Sequence, residues 1–256
     1  MANLTGTAGD DVLYGTANDR NTISGLAGSD WLQGGDLIDV IYGGEGDDSI
    51  AGGEAYDRLY GEAGDDYLSG GGGADNLDGG DGADTLQGDD GSDVISGGAG
   101  NDSIYGGDGA DYLHGDDGDD RLEGGDGADY INTGIGNDDV LAGAGDDVVD
   151  LSFSSSVLDQ KTVYAGTGND WITAAASSDK IDGGMGQDIV AYRSSTAAVT
   201  VNLLTGNGSG GFATGDTYRS IEDVQGSLYN DKLTANGNYN EVFGYDGDDL
   251  IEGGAG

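Results

Sequence analysis

The amino-acid sequence predicts an all-β solenoid with two facing sheets. Three observations lead to this fold class. A nine-residue repeat fills residues 25–150 without a break, every unit has aspartate at its sixth position, and every unit has an aliphatic residue at its eighth. Fourteen tandem units that agree at both positions are too regular to arise by chance, so the repeat sets the architecture.

Each unit divides into a turn and a short strand. Its last three positions alternate polar, aliphatic and polar, as in a strand that buries one side chain. Its first six positions are rich in glycine, which adopts the positive φ angles of tight turns. A three-residue strand is unstable alone, so the units must stack around a common core. Two consecutive units then complete one coil, and residues eighteen apart become neighbours at about 4.8 Å. This places Asp102 beside Asp84 and Asp120, not beside Asp111.

The composition limits the classes of partner. The chain has 50 acidic and 8 basic residues, a formal charge of −42, 55 glycines, no proline and no cysteine. Such charge favours disorder without a ligand, whereas the evenly spaced apolar residues favour order in the working state. The scattered basic residues form no stripe for nucleic acid or anionic lipid. No apolar run approaches the ~20 residues of a transmembrane segment. We therefore expect cations as partners, no nucleic acid and no transmembrane segment.

Rows of aspartate at strand spacing repel one another unless a positive charge lies between them. Carboxylate and backbone carbonyl oxygens are the ligands of Ca²⁺, which takes six to eight of them, whereas Zn²⁺ prefers cysteine and histidine and Mg²⁺ keeps its waters. Fourteen units form two stacks of seven with up to 12 gaps, so we expect roughly a dozen Ca²⁺ ions in the main array. The predicted metal ligands are Asp11, Asp30, Asp39, Asp48, Asp57, Asp66, Asp75, Asp84, Asp93, Asp102, Asp111, Asp120, Asp129, Asp138, Asp147, Asp170, Asp188, Asp231 and Asp249.

The motif of the units is that of a known family. "GGAGNDSIY" (97–105) and "GGDGADYLH" (106–114) fit G-G-x-G-x-D-x-U-x, with U aliphatic, at every defined position. In this the chain resembles the RTX (repeats-in-toxin) calcium-binding proteins over most of its length. The resemblance implies a right-handed parallel β-roll with Ca²⁺ held between stacked turns by position-six aspartates and turn carbonyls. It also implies type I secretion from a bacterium, folding outside the cell and an extracellular or cell-surface location.

The regularity of the repeat changes along the chain. We expect six segments: a degenerate N-terminal coil or edge (1–24), the main roll (25–150), an insertion (151–164), a short repeat block (165–191), a non-repeat capping or spacer segment (192–225) and a second block (226–256). The chain ends inside a repeat, at "GGAG", so we expect a piece of a longer protein.

Four irregular units carry further expectations. The unit 15–24 has ten residues and is expected to place Arg20 where aspartate belongs. Leu37 and Ala55 replace the fourth-position glycine in two units that stack on each other, so their gap is expected to be the weakest calcium site. The glycine-free unit 174–182 is expected to be a spacer without metal.

No catalytic constellation is apparent, so we expect no enzyme. His114 is the single histidine, and its ninth position in the unit predicts that it faces solvent. We interpret the chain as a non-catalytic calcium-binding module whose folding depends on calcium. Two alternatives stay open: a module that recognises extracellular polysaccharide through outward aromatics such as Trp31, Tyr67 and Tyr112, and a structural segment of an adhesin or surface-layer protein. For the outward aromatics themselves, the preferred interpretation is β-propensity and packing on a neighbouring domain of the parent protein.

Overall fold

The computed structural model describes residues 2–152 and 159–255. Part of the expected insertion 151–164 therefore lies outside the described residues. The chain divides into two compact units, Met1–Gly127 and Ala128–Gly256, which are taken separately below. No helix within the described residues is long and apolar enough to cross a membrane.

The first unit is a parallel β-solenoid of two seven-stranded sheets. Odd-numbered strands form one sheet and even-numbered strands the other, each in chain order. The strands are β1 Ala2–Thr5, β2 Val12–Tyr14, β3 Asn21–Ala27, β4 Trp31–Gly35, β5 Val40–Glu45, β6 Ser49–Glu54, β7 Arg58–Ala63, β8 Tyr67–Gly72, β9 Asn76–Asp81, β10 Thr85–Asp90, β11 Val94–Ala99, β12 Ser103–Asp108, β13 Tyr112–Asp117 and β14 Arg121–Asp126.

The register of these strands confirms the coil of two repeats. Leu86 of β10 lies opposite Leu68 of β8 on one side and Ile104 of β12 on the other, eighteen residues away in each direction. All three side chains are fully buried. The same ladder of position-eight residues runs through both sheets, so the core is a stack of single aliphatic residues facing each other across a thin layer.

The start of the chain differs from expectation at one position. Thr22 pairs with Val40 and Ile23 with Ile41, which puts Asn21 at the sixth position of its coil. The expectation that Arg20 takes this place is wrong. The turn before β3 is one residue longer than a regular turn. Burial of Ile23 against Ile41 fixes the strand register, so the additional residue has to lie in the turn.

The second unit continues the same construction with interruptions. Its strands are β15 Tyr130–Asn132, β16 Asp139–Ala144, β17 Val148–Asp150, β18 Thr162–Thr167, β19 Trp171–Thr173, β20 Lys180–Met185, β21 Ile189–Ala191, β22 Thr200–Asn202, β23 Asn207–Ser209, β24 Thr217–Arg219, β25 Asp223–Gln225, β26 Lys232–Thr234, β27 Val242–Phe243 and β28 Leu250–Glu252. The sheet orders are β15-β17-β19-β21-β25-β27 and β16-β18-β20-β24-β23-β22-β26-β28.

The stretch predicted as an insertion rejoins the coil before it ends. Val163 pairs with Val140, a step of 23 residues where the regular coil takes eighteen. The five additional residues leave the register intact, because Val163 is again fully buried. Lys161 consequently stands at the sixth position of its coil, where the other coils have aspartate.

Residues 192–225 add strands to both sheets although they lack the motif. β24 pairs in parallel with β20 and β25 with β21. In the chain, β22 and β23 come after β21 and before β24, and they form an antiparallel hairpin. A short 3-10 turn follows at Gly211–Ala213. This arrangement places Asp216 and Glu222 at sixth positions, immediately before the strand residues Thr217 and Asp223.

Truncation of one rung tests the aliphatic ladder. Leu86→Ala should lower the free energy of unfolding in saturating calcium by about 2–5 kcal/mol, because a fully buried side chain leaves a cavity. Val94→Ala is the control, since Val94 is 45% exposed on the outer face, and it should cost less than about 0.5 kcal/mol. Chemical denaturation followed by circular dichroism measures both. Equal losses for the two variants would contradict the proposed core.

Candidate metal sites between stacked turns

The gap between turns 61–66 and 79–84 shows how a regular site is built. The backbone N–H of Asp66 donates to Oδ1 of Asp84, eighteen residues on, at 2.7 Å. Asp66 is 3% exposed, and its Oδ2 is buried without a hydrogen-bond partner among the described residues. An unsatisfied buried carboxylate oxygen is costly. The atom is therefore suited to bind a positively charged ligand.

Backbone carbonyls surround this carboxylate. The carbonyls of Glu62 and Gly64 are directed at the next turn so closely that a Cβ at Gly80 or Gly82 would strike them. A Cβ at Gly61 would meet both Oδ2 of Asp66 and the carbonyl of Gly79. Glycine is required here because the turns approach along their oxygen atoms. The result is a cradle of oxygen donors between two turns.

The turns stack in two rows, one on each side of the coil, and each row is called an edge below. The same arrangement recurs along both edges of the first unit and along one edge of the second. In each case Oδ1 accepts a backbone N–H from the preceding turn, at 2.5–3.0 Å. In each case Oδ2 is buried and has no hydrogen-bond partner within the described residues. The aspartates are Asp30, Asp39, Asp48, Asp57, Asp66, Asp75, Asp84, Asp93, Asp102, Asp147, Asp170 and Asp188. The predicted ligands Asp111, Asp120 and Asp129 are equally buried at the same repeat position.

Four predicted ligands have a different surrounding. Oδ2 of Asp11 accepts the N–H and hydroxyl of Thr7, and Oδ2 of Asp231 accepts the N–H of Ser227. Oδ2 of Asp138 accepts from the Lys161 ammonium. Asp249 is half-buried and receives the N–H of Asp231 at 2.9 Å. At the first three of these positions the protein's own donors satisfy the oxygen that is unsatisfied elsewhere.

Burial makes the aspartate rows electrostatically expensive. The pKa of Asp66 is raised to about 7, first by desolvation and also by the charges of Asp84 and Asp48. Desolvation likewise raises the pKa of Asp84 to about 6 and that of Asp188 to about 7. The negative form is therefore unfavourable without a cation. A bound divalent ion would reverse this by interacting with the charged form.

The donor set fits a hard cation. Within residues 2–152 and 159–255, no three or more histidine, cysteine, aspartate and glutamate side chains come together. Each regular gap between two turns instead combines one unsatisfied carboxylate oxygen with backbone carbonyl oxygens of the turns. An all-oxygen cage dominated by carbonyls suits Ca²⁺, and it lacks the nitrogen and sulfur ligands that Zn²⁺ selects.

Comparison with known proteins agrees with this chemistry. The family described as RTX calcium-binding nonapeptide repeat (4 copies) matches residues 3–19, 16–36, 24–59, 42–77, 57–86, 78–113, 87–121, 114–149, 162–190 and 225–256. These ranges cover most of the chain. The chain belongs to this family.

One solved structure is similar to this chain at a low level. It is a hyperactive, Ca²⁺-dependent, β-helical antifreeze protein from an Antarctic bacterium, with 22% identity, coverage of 96% of this chain and 81% of that chain, and a TM-score of 0.39. No curated protein matches the chain.

Four position-six residues of this RTX chain escaped the sequence prediction: Asn21, Lys161, Asp216 and Glu222. The side-chain amide of Asn21 donates to the carbonyls of Thr16 and Asp19 and to Oδ1 of Asp39. Glu222 accepts the N–H of Asp188 at 3.3 Å. The available signal was a polar residue two places before a buried apolar one, namely Ile23, Val163, Tyr218 and Val224, but irregular spacing hid it.

The raised pKa values predict an opposite pH response with and without calcium. Without calcium, the penalty for folding is absent below about pH 4, where folded and unfolded carboxyls are both protonated, and it grows as pH rises through about 7. Acidification in EGTA should therefore increase β structure measured by circular dichroism. In calcium, acidification should raise the calcium midpoint, because protons compete for the same oxygens. An apo protein that gains β structure as pH rises would contradict this.

The gap flanked by Leu37 and Ala55 remains the predicted weakest site. Ala55 has φ of 74°, Leu37 is 43% exposed, and β4 ends at Gly35, earlier than most strands of this unit. Replacing both residues by glycine should raise the affinity of the weakest calcium-binding step roughly tenfold, since the left-handed backbone at Ala55 costs about 1–2 kcal/mol. Isothermal titration calorimetry measures the change. Ala99→Gly, at an exposed third position, is the control, and an unchanged double variant would refute the prediction.

Proposed function

We propose that this chain is a non-catalytic calcium-binding β-roll module of a larger secreted protein, and that extracellular Ca²⁺ drives its folding. One observation carries the proposal: the repeated, buried Oδ2 atom that has no hydrogen-bond partner in residues 2–152 and 159–255 and lies near turn carbonyls. A polar atom repeated in this position supports a ligand that repeats along the array. Membership of the RTX calcium-binding family supports Ca²⁺ as that ligand.

Coupling of binding to folding follows from the opposing energies. Each coil buries two aliphatic side chains, and it orders many glycines and desolvates two aspartates, both of which oppose folding. A Ca²⁺ ion in each gap would cancel the aspartate repulsion and bridge two turns. Neighbouring gaps share a turn, so filling one orders half of the next. Binding is therefore expected to be cooperative.

The location outside the cell rests on ion concentrations and family membership. Extracellular calcium modules bind in the range of about 10⁻⁴–10⁻³ M, which is far above cytosolic calcium. A module with that affinity stays unfolded during synthesis and folds after export. Type I secretion is proposed on the family resemblance alone.

Absence of catalysis is proposed from the periodicity of the acidic groups. The buried aspartates repeat at every coil and are assigned to calcium, so they form no special pair of acid and base. His114 lies on the outer face beside the ring of Tyr112, at 6.1 Å between centroids. This contact with an outer-face tyrosine favours a structural surface role for His114 over a catalytic one.

Polysaccharide recognition is a second candidate, supported by one feature. Trp31 and Tyr67 lie on the same outer face, both opposite Ser49 of the intervening strand, and are 51% and 41% exposed. Two strand spacings separate them, about 9.6 Å. Rings at this separation could stack on alternate sugars. Loss of glycan-array binding in Trp31→Ala, with unchanged calcium-dependent folding, would support this role.

A calcium titration tests the proposed function. The chain should show little β structure by circular dichroism in EGTA and gain it cooperatively with Ca²⁺, and much less with Mg²⁺. Asp66→Asn removes the negative charge of one predicted metal ligand. It should raise the calcium concentration at the folding midpoint by on the order of tenfold. Asp108→Asn removes the same charge at an exposed position and should leave the midpoint nearly unchanged. No gain of β structure with calcium, or equal effects of the two variants, would overturn the proposal.

A further inference from the structure

One edge of the second unit is closed by the protein's own side chains instead of by calcium-type sites. It comprises three successive gaps on the side of the roll that precedes β16, β18, β20 and β24. The position-six residues along it are Asp138, Lys161, Asp179 and Asp216. Each gap is satisfied in a different way.

Lys161 fills the first gap. Its side chain is fully buried, and its ammonium donates to the carbonyls of Gly134 and Gly136, at 3.0 and 3.3 Å, and to Oδ2 of Asp138. Gly134, Gly136 and Asp138 occupy positions two, four and six of their turn. These are the positions whose oxygens form the cradle in the regular gap. The ammonium thus stands where a regular gap would hold its cation.

The charge balance supports this substitution. Replacing aspartate by lysine at one turn removes one negative charge and adds one positive charge. The single ammonium offsets Asp138 one for one. A second cation in the same cradle would find no unbalanced negative charge and would be repelled by the ammonium. Lysine therefore both satisfies the gap and excludes a metal ion from it.

The next gap is satisfied by a hydroxyl group. Oδ1 of Asp179 accepts the N–H of Lys161 at 3.1 Å, and Oδ2 accepts the hydroxyl of Ser177 at 2.9 Å. Ser177 occupies the fourth position, where regular turns have glycine. Both residues are buried, so the hydroxyl takes the oxygen that would otherwise face a cation.

Two tyrosines satisfy the third gap. Oδ1 of Asp216 accepts the N–H of Asp179 at 3.0 Å. Oδ2 accepts the hydroxyl of Tyr192 at 2.5 Å and that of Tyr218 at 3.4 Å. Tyr192 is fully buried and Tyr218 nearly so. The rings meet edge to face with centroids 6.5 Å apart, which adds apolar packing to the hydrogen bonds.

The opposite edge of the same unit has the calcium-type arrangement. Asp147, Asp170 and Asp188 each have a buried Oδ2 with no hydrogen-bond partner among the described residues. The two edges of one set of coils therefore differ in what closes them. The edge with Asp147, Asp170 and Asp188 needs added cations. The edge with Asp138, Lys161, Asp179 and Asp216 is satisfied by hydrogen-bond donors of the protein itself.

We propose that Lys161 is a resident cation that replaces calcium. We further propose that the contacts of Asp138, Lys161, Asp179 and Asp216 form a calcium-independent clamp, which keeps β16, β18, β20 and β24 associated when calcium is absent. This inference rests on the proposed function, because it divides the array into calcium-dependent and calcium-independent parts. The clamp retains local order from which calcium-driven folding of the remaining coils can propagate.

Hydrogen–deuterium exchange of the whole chain in EGTA tests the clamp. Amides of β16, β18, β20 and β24 should exchange at least about tenfold more slowly than those of β8, β10 and β12, which lie entirely among calcium-type gaps. In calcium, all of these strands should be protected. Equal, rapid exchange of both groups in EGTA would overturn the clamp. Absence of any calcium-dependent protection in β8, β10 and β12 would instead refute the proposed function.

Substitution at Lys161 tests the resident cation. Lys161→Asp restores an aspartate to the sixth position, so the variant should lose protection of β16 and β18 in EGTA, recover it in calcium, and bind at least one more Ca²⁺ than the wild type by native mass spectrometry. Lys180→Asp makes the same charge change on the exposed face and should leave the ion count unchanged. An unaltered ion count in Lys161→Asp, or an equal gain in Lys180→Asp, would refute the role. Should Lys161→Asp fail to fold in calcium, exchange of the wild-type chain in EGTA decides the proposal.

Discussion

Stacking of buried carboxylates at strand spacing is the constraint on which the rest of the structure depends. Each position-six aspartate uses Oδ1 to accept an N–H from the neighbouring turn, as Asp84 does from Asp66. This bond fixes the distance between turns and the orientation of the carboxylate. It also leaves Oδ2 buried beside like charges. The coil therefore cannot be closed by backbone hydrogen bonds and aliphatic packing alone, and something positive or hydrogen-donating has to enter each gap.

The turns are shaped by the same requirement. Their carbonyls point along the axis of the stack toward the next turn, as those of Glu62 and Gly64 do. That orientation supplies oxygen ligands, and it leaves no room for a Cβ on the facing residue. High glycine content and high acidic content are thus two consequences of one site geometry. Under the proposed function, bound Ca²⁺ supplies the stabilisation that a thin core of one aliphatic residue per turn lacks.

The structure shows two solutions to the neutralisation of these gaps. Regular turns leave an oxygen cradle that fits Ca²⁺, in keeping with the RTX family to which the chain belongs. Three irregular gaps present donors from the chain itself: an ammonium from Lys161, and hydroxyls from Ser177 and Tyr192. These donors reach the Oδ2 atoms of Asp138, Asp179 and Asp216, the atom that has no hydrogen-bond partner in the regular gaps of the described residues.

The sequence by itself determined the period, the fold class, the aliphatic ladder and the pairing of residues eighteen apart, because a buried residue every nine positions allows only one register. It also predicted oxygen ligands for the metal, since the chain has no cysteine and one histidine. Only the tertiary structure decided which residues stand at position six where the period breaks. In the ten-residue unit 15–24, the additional residue shifts position six from Arg20 to Asn21. Between Val140 and Val163, five additional residues place Lys161 at position six. The register there is set by burial of Ile23 and Val163 against the preceding or following coil, a contact between distant residues that no local spacing encodes.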